Sequence, residues 1–549
     1  IVNVAKSDIS PLKSPLESRK WKKIIQNAKF EQKFVQFFWN MEINNLFDTM
    51  LAEQVILSQN FPTSLKNLAK KYTGQDLSKE EQTSFINMKP MEMFTKEQLA
   101  YAAKDVEILF PIYEAQKAEL ERSGQDKIAE VEFDLTAIVA SMELEGIPVD
   151  VEKWRKLLID THNKHREAHI KILELFYDGD IYQEQEGMFE RVLKPINLGS
   201  PKQIAQALTN LGIALPKTPK GNLKTDEATL EKIDHPAAKA ILDYRGLDKI
   251  LTTYGESFLS KIHPFTNRIH PDFGQIGAET GRFSCKDPNM QNIPEEFREC
   301  IGNLKDYKIV GADYANIELR IIAELSNDPS LIKAFTTGDD PHKSTAAFMF
   351  NVPLEAVTKE QRFAAKTINF ALTYGMGVPR LKDSLNKGKP AKEQLSFGKV
   401  YAMNTAYRET YREVIKYFQD SGDKAFNKGE SNTISGRKRY FDRPSGVDEE
   451  TFKVLAGKIR REGGNAPIQG TNADITKMAM VNLHQDLKQY GFRAKIIIQV
   501  HDEIVLLAHK SHANAVKIVV EESMLRSAQE VLKSVPVKVD TYTSDIWKK

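Results

Sequence analysis

At 549 residues, 41% hydrophobic and 28% charged, the chain suits a folded protein of roughly three or four domains and excludes one that is disordered throughout. Its 77 basic and 75 acidic residues leave a net charge of +2, so total charge alone announces no polyanion partner. With only Cys285 and Cys300 there is neither a disulfide framework nor a CxxC zinc knuckle, which points to a reducing compartment; no apolar run reaches membrane-span length and the first residues form no signal peptide.

In chain order, Lys22–Phe34 (KKIIQNAKFEQKF), Asn44–Leu57 and Leu99–Gln116 each read as a helix or as a strand running into one. In the third, Tyr101 and Asp105 stand four apart on one helical face, where a phenol and a carboxylate either address a metal-activated water or simply face solvent. Met142–Trp154 predicts a helix end, a glycine turn and a new helix. Ser200, Pro201 and Gln203 carry a helix-start signature of cap, first-turn proline and capping-box glutamine. Lys217, Lys220 and Lys224 crowd a Pro/Gly loop that suits phosphate, although such loops also occur in proteins that touch none. Thr280–Pro294 (TGRFSCKDPNMQNIP) is a loop rich in donors: Arg282, Asn289, Gln291 and Asn292.

The apolar run from Ile309 delivers Asp313 to a strand end, and a helix follows with Ile317, Ile321 and Leu325 in one stripe until Asn327, Asp328 and Pro329 stop it. Ile496–Leu507 (IIIQVHDEIVLL) reads as a hairpin with His501, Asp502 and Glu503 at its tip. An isolated strand-end aspartate is usually a turn or cap residue. Two acidic tips brought together would instead hold divalent cations through oxygen ligands and suit phosphoryl chemistry. Arg362, Lys366, Phe370 and Tyr374 recur every four residues. Each step of four drifts by about 40°, so they form one slowly turning stripe, cations first and aromatics after. A triphosphate would lie on the first pair and a sugar and base on the second; an exposed basic helix with two core aromatics is the plainer alternative. Residues 351–465 hold 22 Lys and Arg against 14 Asp and Glu, a local excess that fits nucleic acid or a solvated face. Arg461, Asn465 and Gln469, again four apart, open a helix that leads to the hairpin.

Taken together and in this order, the motifs resemble family A DNA polymerases of the bacterial polymerase I type over nearly the whole chain. The first three stretches resemble that family's 3′–5′ exonuclease domain, with Glu31 in the place of its third acidic ligand, Asp105 in that of the fourth and Tyr101 as partner. No D-x-E pair stands in residues 1–30, so either the chain starts inside the domain or the exonuclease is a structural remnant. NLGSPKQ and YRGLDK resemble the thumb, Thr280–Pro294 the start of the palm, and Arg362–Gly375 the fingers helix, with Ala371 where the family has glycine.

The resemblance implies a multidomain α/β and α+β fold. An RNase H-like exonuclease-type domain, incomplete in 1–125, would precede a right-hand polymerase in 126–549, with thumb about 150–265, palm about 266–340 and 466–549, and fingers about 341–465. The implied activity is template-directed addition of deoxynucleotides to a primer 3′ end by nucleotidyl transfer, with proofreading absent or impaired. A chain that is mainly a 3′–5′ exonuclease, or a non-catalytic DNA clamp, is the alternative. Two Mg²⁺, or Mn²⁺, would be held by Asp313, Asp502 and the Tyr314 carbonyl, with Glu503 beside them. Lys366 would neutralise developing charge, Arg362 and His342 would orient phosphates, and Phe370 and Tyr374 would meet the nucleotide. Glu318 would lie beneath the sugar, braced by Tyr374. Primer-template DNA would meet Arg282, Asn289, Gln291, Arg461, Asn465, Gln469, Gln499 and His501, with the basic Gly436–Gly446 on the template side. The partners implied are primer-template DNA and deoxynucleoside triphosphates, with no membrane and a monomeric chain. Its place would be bacterial cytoplasm or nucleoid, the host cytoplasm for a phage protein, or an organelle.

Overall fold

The computed structural model describes residues 7–548 apart from 59–61, 78–79, 86–87, 90–91, 177–181, 187–190, 219, 374 and 390. Its contacts divide the chain into two units. One comprises Ile1–Pro148, His270–Lys382 and Ser396–Lys549, the other Val149–Ile269 and Asp383–Leu395.

In the first unit, β1 (Lys23–Ile25) and β2 (Leu46–Asp48) pair in parallel. That pairing needs a crossover, supplied by α1 (Lys29–Trp39). Asp48, wholly buried, accepts N–H bonds from Asn27 at 3.0 Å, Ala28 at 2.7 Å and Met50 at 2.8 Å, tying the loop after β1 to the helix after β2. Next come α2 (Lys96–Glu107), opened by a Thr95/Gln98 capping box, and α3 (Asp126–Glu145), stopped by Gly146 at φ +67°.

β3 (Tyr307–Tyr314) is the centre of a four-stranded antiparallel sheet completed by β4 (Ala494–Val500), β5 (Glu503–His509) and β6 (Val539–Ser544), in the order β4-β5-β3-β6. Ile309, Val310 and Ala312 are fully buried, which is why this strand reads as an unbroken apolar run. Gly311 is required: a Cβ there would lie 2.1 Å from the Tyr542 ring. α4 (Ile317–Ser326) starts from Asn316 in the left-handed conformation and buries Ile317 and Ile321. Asn327 then ends it, and Asp328 caps the following helix with Pro329 at its first position.

α5 (Pro341–Phe350) and α6 (Lys359–Thr373) pack against each other, and α7 (Arg412–Lys428) leads to α8 (Glu449–Gln489) and then α9 (Ala513–Val531). The 41-residue α8 corrects the sequence reading: Arg461, Asn465 and Gln469 lie in mid-helix and do not open it. The helix runs through Pro467, and Gly463 and Gly464 are its contact points with α7. A Cβ on Gly463 would sit 2.1 Å from the Ala425 Cβ, and one on Gly464 2.9 Å from the Phe418 ring. Beyond the proline, α8 is held to α3 by a buried ionic group. Arg437 Nε donates to Asp474 at 2.7 Å and its Nη2 to Glu132 at 2.6 Å, and Lys477 also donates to Glu132.

The second unit is mainly helical, with one antiparallel strand pair, Tyr182–Glu186 and Arg191–Pro195. Helices Val151–Leu175 and Pro236–Tyr254 pack together, with Trp154 stacked 4.6 Å from Phe258 and donating to the Tyr254 carbonyl at 2.9 Å. Ser200 caps Pro201–Asn210 as expected, while Gln203 accepts the Asn197 N–H at 2.6 Å. Lys232–Asp383 and Lys387–Glu231 pairs, each 2.7 Å, fasten Asp383–Leu395 to this unit.

Candidate active site

The sheet register sets the site. Asp313, next to last in β3, lies directly opposite Glu503 on β5 and Asp540 on β6. His501 and Asp502 form the two-residue turn between β4 and β5, His501 taking φ +55°. The Tyr314 N–H faces the Asp502 carbonyl at 3.5 Å, so the hairpin tip and the end of β3 are neighbours. Asp313 and Asp502 are both partly exposed. Glu503 is fully buried, its Oε1 accepting from Trp547 Nε1 at 3.0 Å and Tyr542 OH at 3.2 Å. That arrangement braces the tip. The Tyr314 ring points into the core and donates to the Met524 carbonyl at 2.8 Å; burial, with the Asp502 charge, raises its phenol well above the usual range.

Along α6, Arg362, Lys366 and Phe370 are exposed while Ala364, Ala365, Ile368 and Asn369 are buried, so three members of the stripe share an open face. Tyr374 lies outside the described residues. Arg362 is paired with Asp340, Nη2 to Oδ2 at 2.6 Å. His342 is 3% exposed, its Nδ1 2.9 Å from the Asn369 amide and its ring 5.8 Å from Phe370. Burial, aided by the positive Arg362 and Lys366 and opposed by Asp340, pulls its pKa down to about 4, so it is neutral at pH 7.

Arg282 Nη2 donates to Glu318 Oε1 at 2.5 Å, pairing a residue expected to meet primer-template DNA with the one expected beneath the sugar. The Tyr374 brace expected for Glu318 falls on an undescribed residue. Gln291 donates to the Gln499 carbonyl at 3.1 Å, and Gln499 donates to the His501 carbonyl at 2.7 Å. Three residues assigned to DNA thus form one chain leading to the hairpin tip. Asn289 is exposed, and its Oδ1 accepts the Gln291 N–H at 2.9 Å. On α8, Arg461 is exposed and Asn465 and Gln469 are partly so.

The sequence profile of DNA polymerase family A matches residues 169–549, well over half of the chain. The chain belongs to DNA polymerase family A. A 3′–5′ exonuclease profile matches residues 1–121, so the order of domains is exonuclease-type, then polymerase. The DNA polymerase I of Bacillus subtilis is 31% identical over 570 residues, 100% of this chain and 61% of that protein. That of Aquifex aeolicus is 32% identical over 567 residues, 99% of this chain and 90% of that one. The chain therefore spans less than two thirds of the Bacillus protein's length. A solved structure, the POL domain of Pol1 from M. smegmatis in complex with DNA primer-template and dNTP, aligns with a TM-score of 0.82 at 27% identity, over 98% of this chain and 88% of that one.

Within this family A polymerase, the remaining candidate residues lie in the exonuclease-type region. Burial, with the Asp48 charge adding to it, pushes the Glu31 carboxyl up to about 7. Tyr101 and Asp105 lie one turn apart on α2, where burial and then the Asp105 charge raise the Tyr101 phenol. Among the described residues no group of three or more His, Cys, Asp or Glu side chains is placed to hold a metal ion, around Glu31 and Asp105 or around Asp313 and Asp502.

Several polymerase residues escaped the sequence reading. Asp340 holds Arg362 and also caps α5, and the D-P pair at a helix start was the available signal. Asn369 and Thr345 join His342 to the Tyr411 hydroxyl through buried hydrogen bonds. A polar residue on the apolar side of α6 was the only hint of Asn369. Arg437, expected on the template side, is 3% exposed, its charge taken by Asp474 and Glu132. Arg439 is likewise paired, with Glu279 and with Glu462 at 2.7 Å.

Proposed function

We propose that this chain performs template-directed DNA synthesis, adding deoxynucleotides to a primer 3′ end. The observation that carries this reading is the placement of Asp313 at the end of β3 and of Asp502 in the β4–β5 turn, backbone neighbours through the Tyr314 N–H and the Asp502 carbonyl. Two carboxylates and a peptide carbonyl form an all-oxygen donor set, which fits hard divalent cations such as Mg²⁺ or Mn²⁺. Bound there, a pair of such ions would supply Lewis-acid assistance at the attacking 3′ hydroxyl and the leaving pyrophosphate.

The chain's own side chains account for the rest. Lys366 and Arg362 share an exposed face of α6, where charge-assisted hydrogen bonds would hold a triphosphate. Arg362 would exchange its Asp340 partner for phosphate. Neutral His342, fixed by Asn369, can donate one hydrogen bond without adding charge. Glu503 positions the hairpin tip through Tyr542 and Trp547. Glu318 and Arg282 would address sugar and minor groove together, and Gln469 would add a second minor-groove donor, where all four base pairs present acceptors. Asn289, Gln291, Arg461, Asn465, Gln499 and His501 would line the same duplex.

This reading takes about 150–265 as thumb, about 341–465 as fingers and about 266–340 with 466–549 as palm; the contact unit Val149–Ile269 supports the first range. The partners would be primer-template DNA and deoxynucleoside triphosphates, the molecules named with the M. smegmatis structure. The chain would act as a monomer in cytoplasm or nucleoid; among the described residues no helix is long and apolar enough to cross a membrane. Proofreading would be absent or weak, because Glu31 stands in the place of the third acidic ligand and residues 1–30 carry no D-x-E pair.

Primer extension tests the reading. Asp313→Ala or Asp502→Ala should abolish extension while primer-template affinity stays within a few fold. Either variant keeping more than about a tenth of wild-type turnover, a loss under about 1.4 kcal/mol, contradicts the assignment.

A further inference from the structure

Pro467 lies inside the continuous α8, between Asn465 and Gln469, and the hydrogen bond it removes is supplied by another helix. Proline has no N–H, so the Gly463 carbonyl, four residues back, loses its helical donor. Ser421 Oγ on α7 donates to that carbonyl at 3.0 Å. One turn earlier on α7, Tyr417 OH donates to the neighbouring Gly464 carbonyl at 3.3 Å. The approach that allows this is built into both helices. Gly422 lies so close to Arg460 that a Cβ would fall 2.7 Å from its carbonyl oxygen, and Gly463 and Gly464 meet Ala425 and Phe418 in the same way. Beyond the proline the helix is fixed separately. The Ile434 N–H bonds Thr471 Oγ1 at 3.1 Å, Thr433 Oγ1 bonds Asp474 at 2.8 Å, and a Cβ on Gly470 would lie 2.5 Å from Thr433.

This stretch of α8 is therefore anchored on both sides of Pro467: Ser421 supplies the one donor that the proline removes, and Tyr417 adds a second bond at the next carbonyl. We infer that Ser421, by completing the helix at Pro467, and Tyr417, by holding the adjoining carbonyl, are positioning residues that fix the relative aim of Asn465 and Gln469 toward the primer-template. This rests on the polymerase reading for its consequence but not for its geometry. Neither hydroxyl needs to touch DNA; each acts through a carbonyl of α8. In Ser421→Ala the Gly463 carbonyl is left buried without this donor, and the turn that separates the two amides loosens.

Two measurements on the full chain test the inference. Hydrogen exchange over residues 460–472 needs no activity: Ser421→Ala should speed it, and in a Pro467→Ala background, where residue 467 regains an N–H for Gly463, Ser421→Ala should leave it unchanged. The second is the ratio of extension rates from matched and mismatched primer ends. Ser421→Ala and Tyr417→Phe should each lower it by about threefold to tenfold, the worth of one hydrogen bond, with KM for the nucleotide unchanged. In the Pro467→Ala background Ser421→Ala should then lower it less than about twofold. Equal effects of Ser421→Ala in both backgrounds, or unchanged exchange and an unchanged ratio in a folded Ser421→Ala protein, overturn the inference. A wild-type chain that extends no primer overturns the polymerase reading instead, and leaves the exchange result to stand or fall by itself.

Discussion

Replacing Glu132 with Gln tests the buried ionic group that holds α8 to α3. In the folded chain Glu132, Asp474, Arg437 and Lys477 are almost wholly enclosed and sum to zero charge. Glu132→Gln keeps the volume but removes the charge that balances Lys477, leaving it a neutral amide oxygen, the Phe283 ring at 5.4 Å and the more distant Asp474, while Arg437 retains Asp474 directly. Stranding a buried charge costs about 3–5 kcal/mol. The structure also sets a ceiling, because Lys477 can escape by losing its proton. Burial already draws its pKa from 10.5 to about 8. Deprotonating it at pH 7 against an unfolded value of 10.5 costs at most about 4.8 kcal/mol, and at pH 9 only about 2 kcal/mol. At pH 7 a unit of roughly 400 residues, losing about 2.1 cal/mol/K per residue, should therefore melt about 4–5 °C lower. The deficit should shrink by about half at pH 9. Glu132→Gln/Lys477→Met, which removes both charges, should recover most of the loss. Scanning calorimetry at the two pH values decides the matter: a single variant within 1 °C of wild type at pH 7, or a double variant as unstable as the sum of the singles, refutes the reasoning.

Glu318→Ala releases Arg282 from its 2.5 Å partner and opens space beneath the sugar, so relative kcat/KM for ribonucleotides should rise at least about tenfold, or about 1.4 kcal/mol. Single-nucleotide incorporation with paired ribo and deoxy substrates reads this, and an unchanged ratio places sugar selection elsewhere. His342 folds with a pKa near 4 against 6.5 unfolded, so its contribution is complete above pH 6.5 and is lost as pH falls toward 4, at most about 3 kcal/mol in all. Its imidazole signals in NMR should show no titration down to pH 5; a midpoint near 6.5 would contradict the buried, neutral assignment. The chain should not shorten a mismatched primer in Mg²⁺ without nucleotides. Steady 3′ degradation at the same rate by an identically purified Asp313→Ala variant would show that the exonuclease-type region works.

The sequence was most legible where chemistry and periodicity coincide over a short span. The apolar run ending at Asp313, the hairpin around Asp502 and the exposed Arg362, Lys366 and Phe370 face all follow from local pattern, because period and side-chain direction are fixed within a few residues. Reading failed where a partner lies far along the chain. Nothing near Arg437 announces Glu132, 305 residues away, and a Gly-Gly-x-x-Pro sequence announces a helix end unless Ser421 and Tyr417 stand opposite. The charge count of residues 351–465 suffers from the same blindness. Arg437 spends its charge on buried acids, and Arg439 and Arg362 are paired in the absence of ligand. A cation is available to a phosphate only if exchanging its present partner is favourable. That condition separates Arg362, half exposed beside a half-exposed aspartate, from Arg437, whose withdrawal would strand two buried carboxylates. The basic excess of this segment therefore overstates its pull on DNA, and the residues able to deliver it are those on open helix faces, Lys366 and Arg461 foremost.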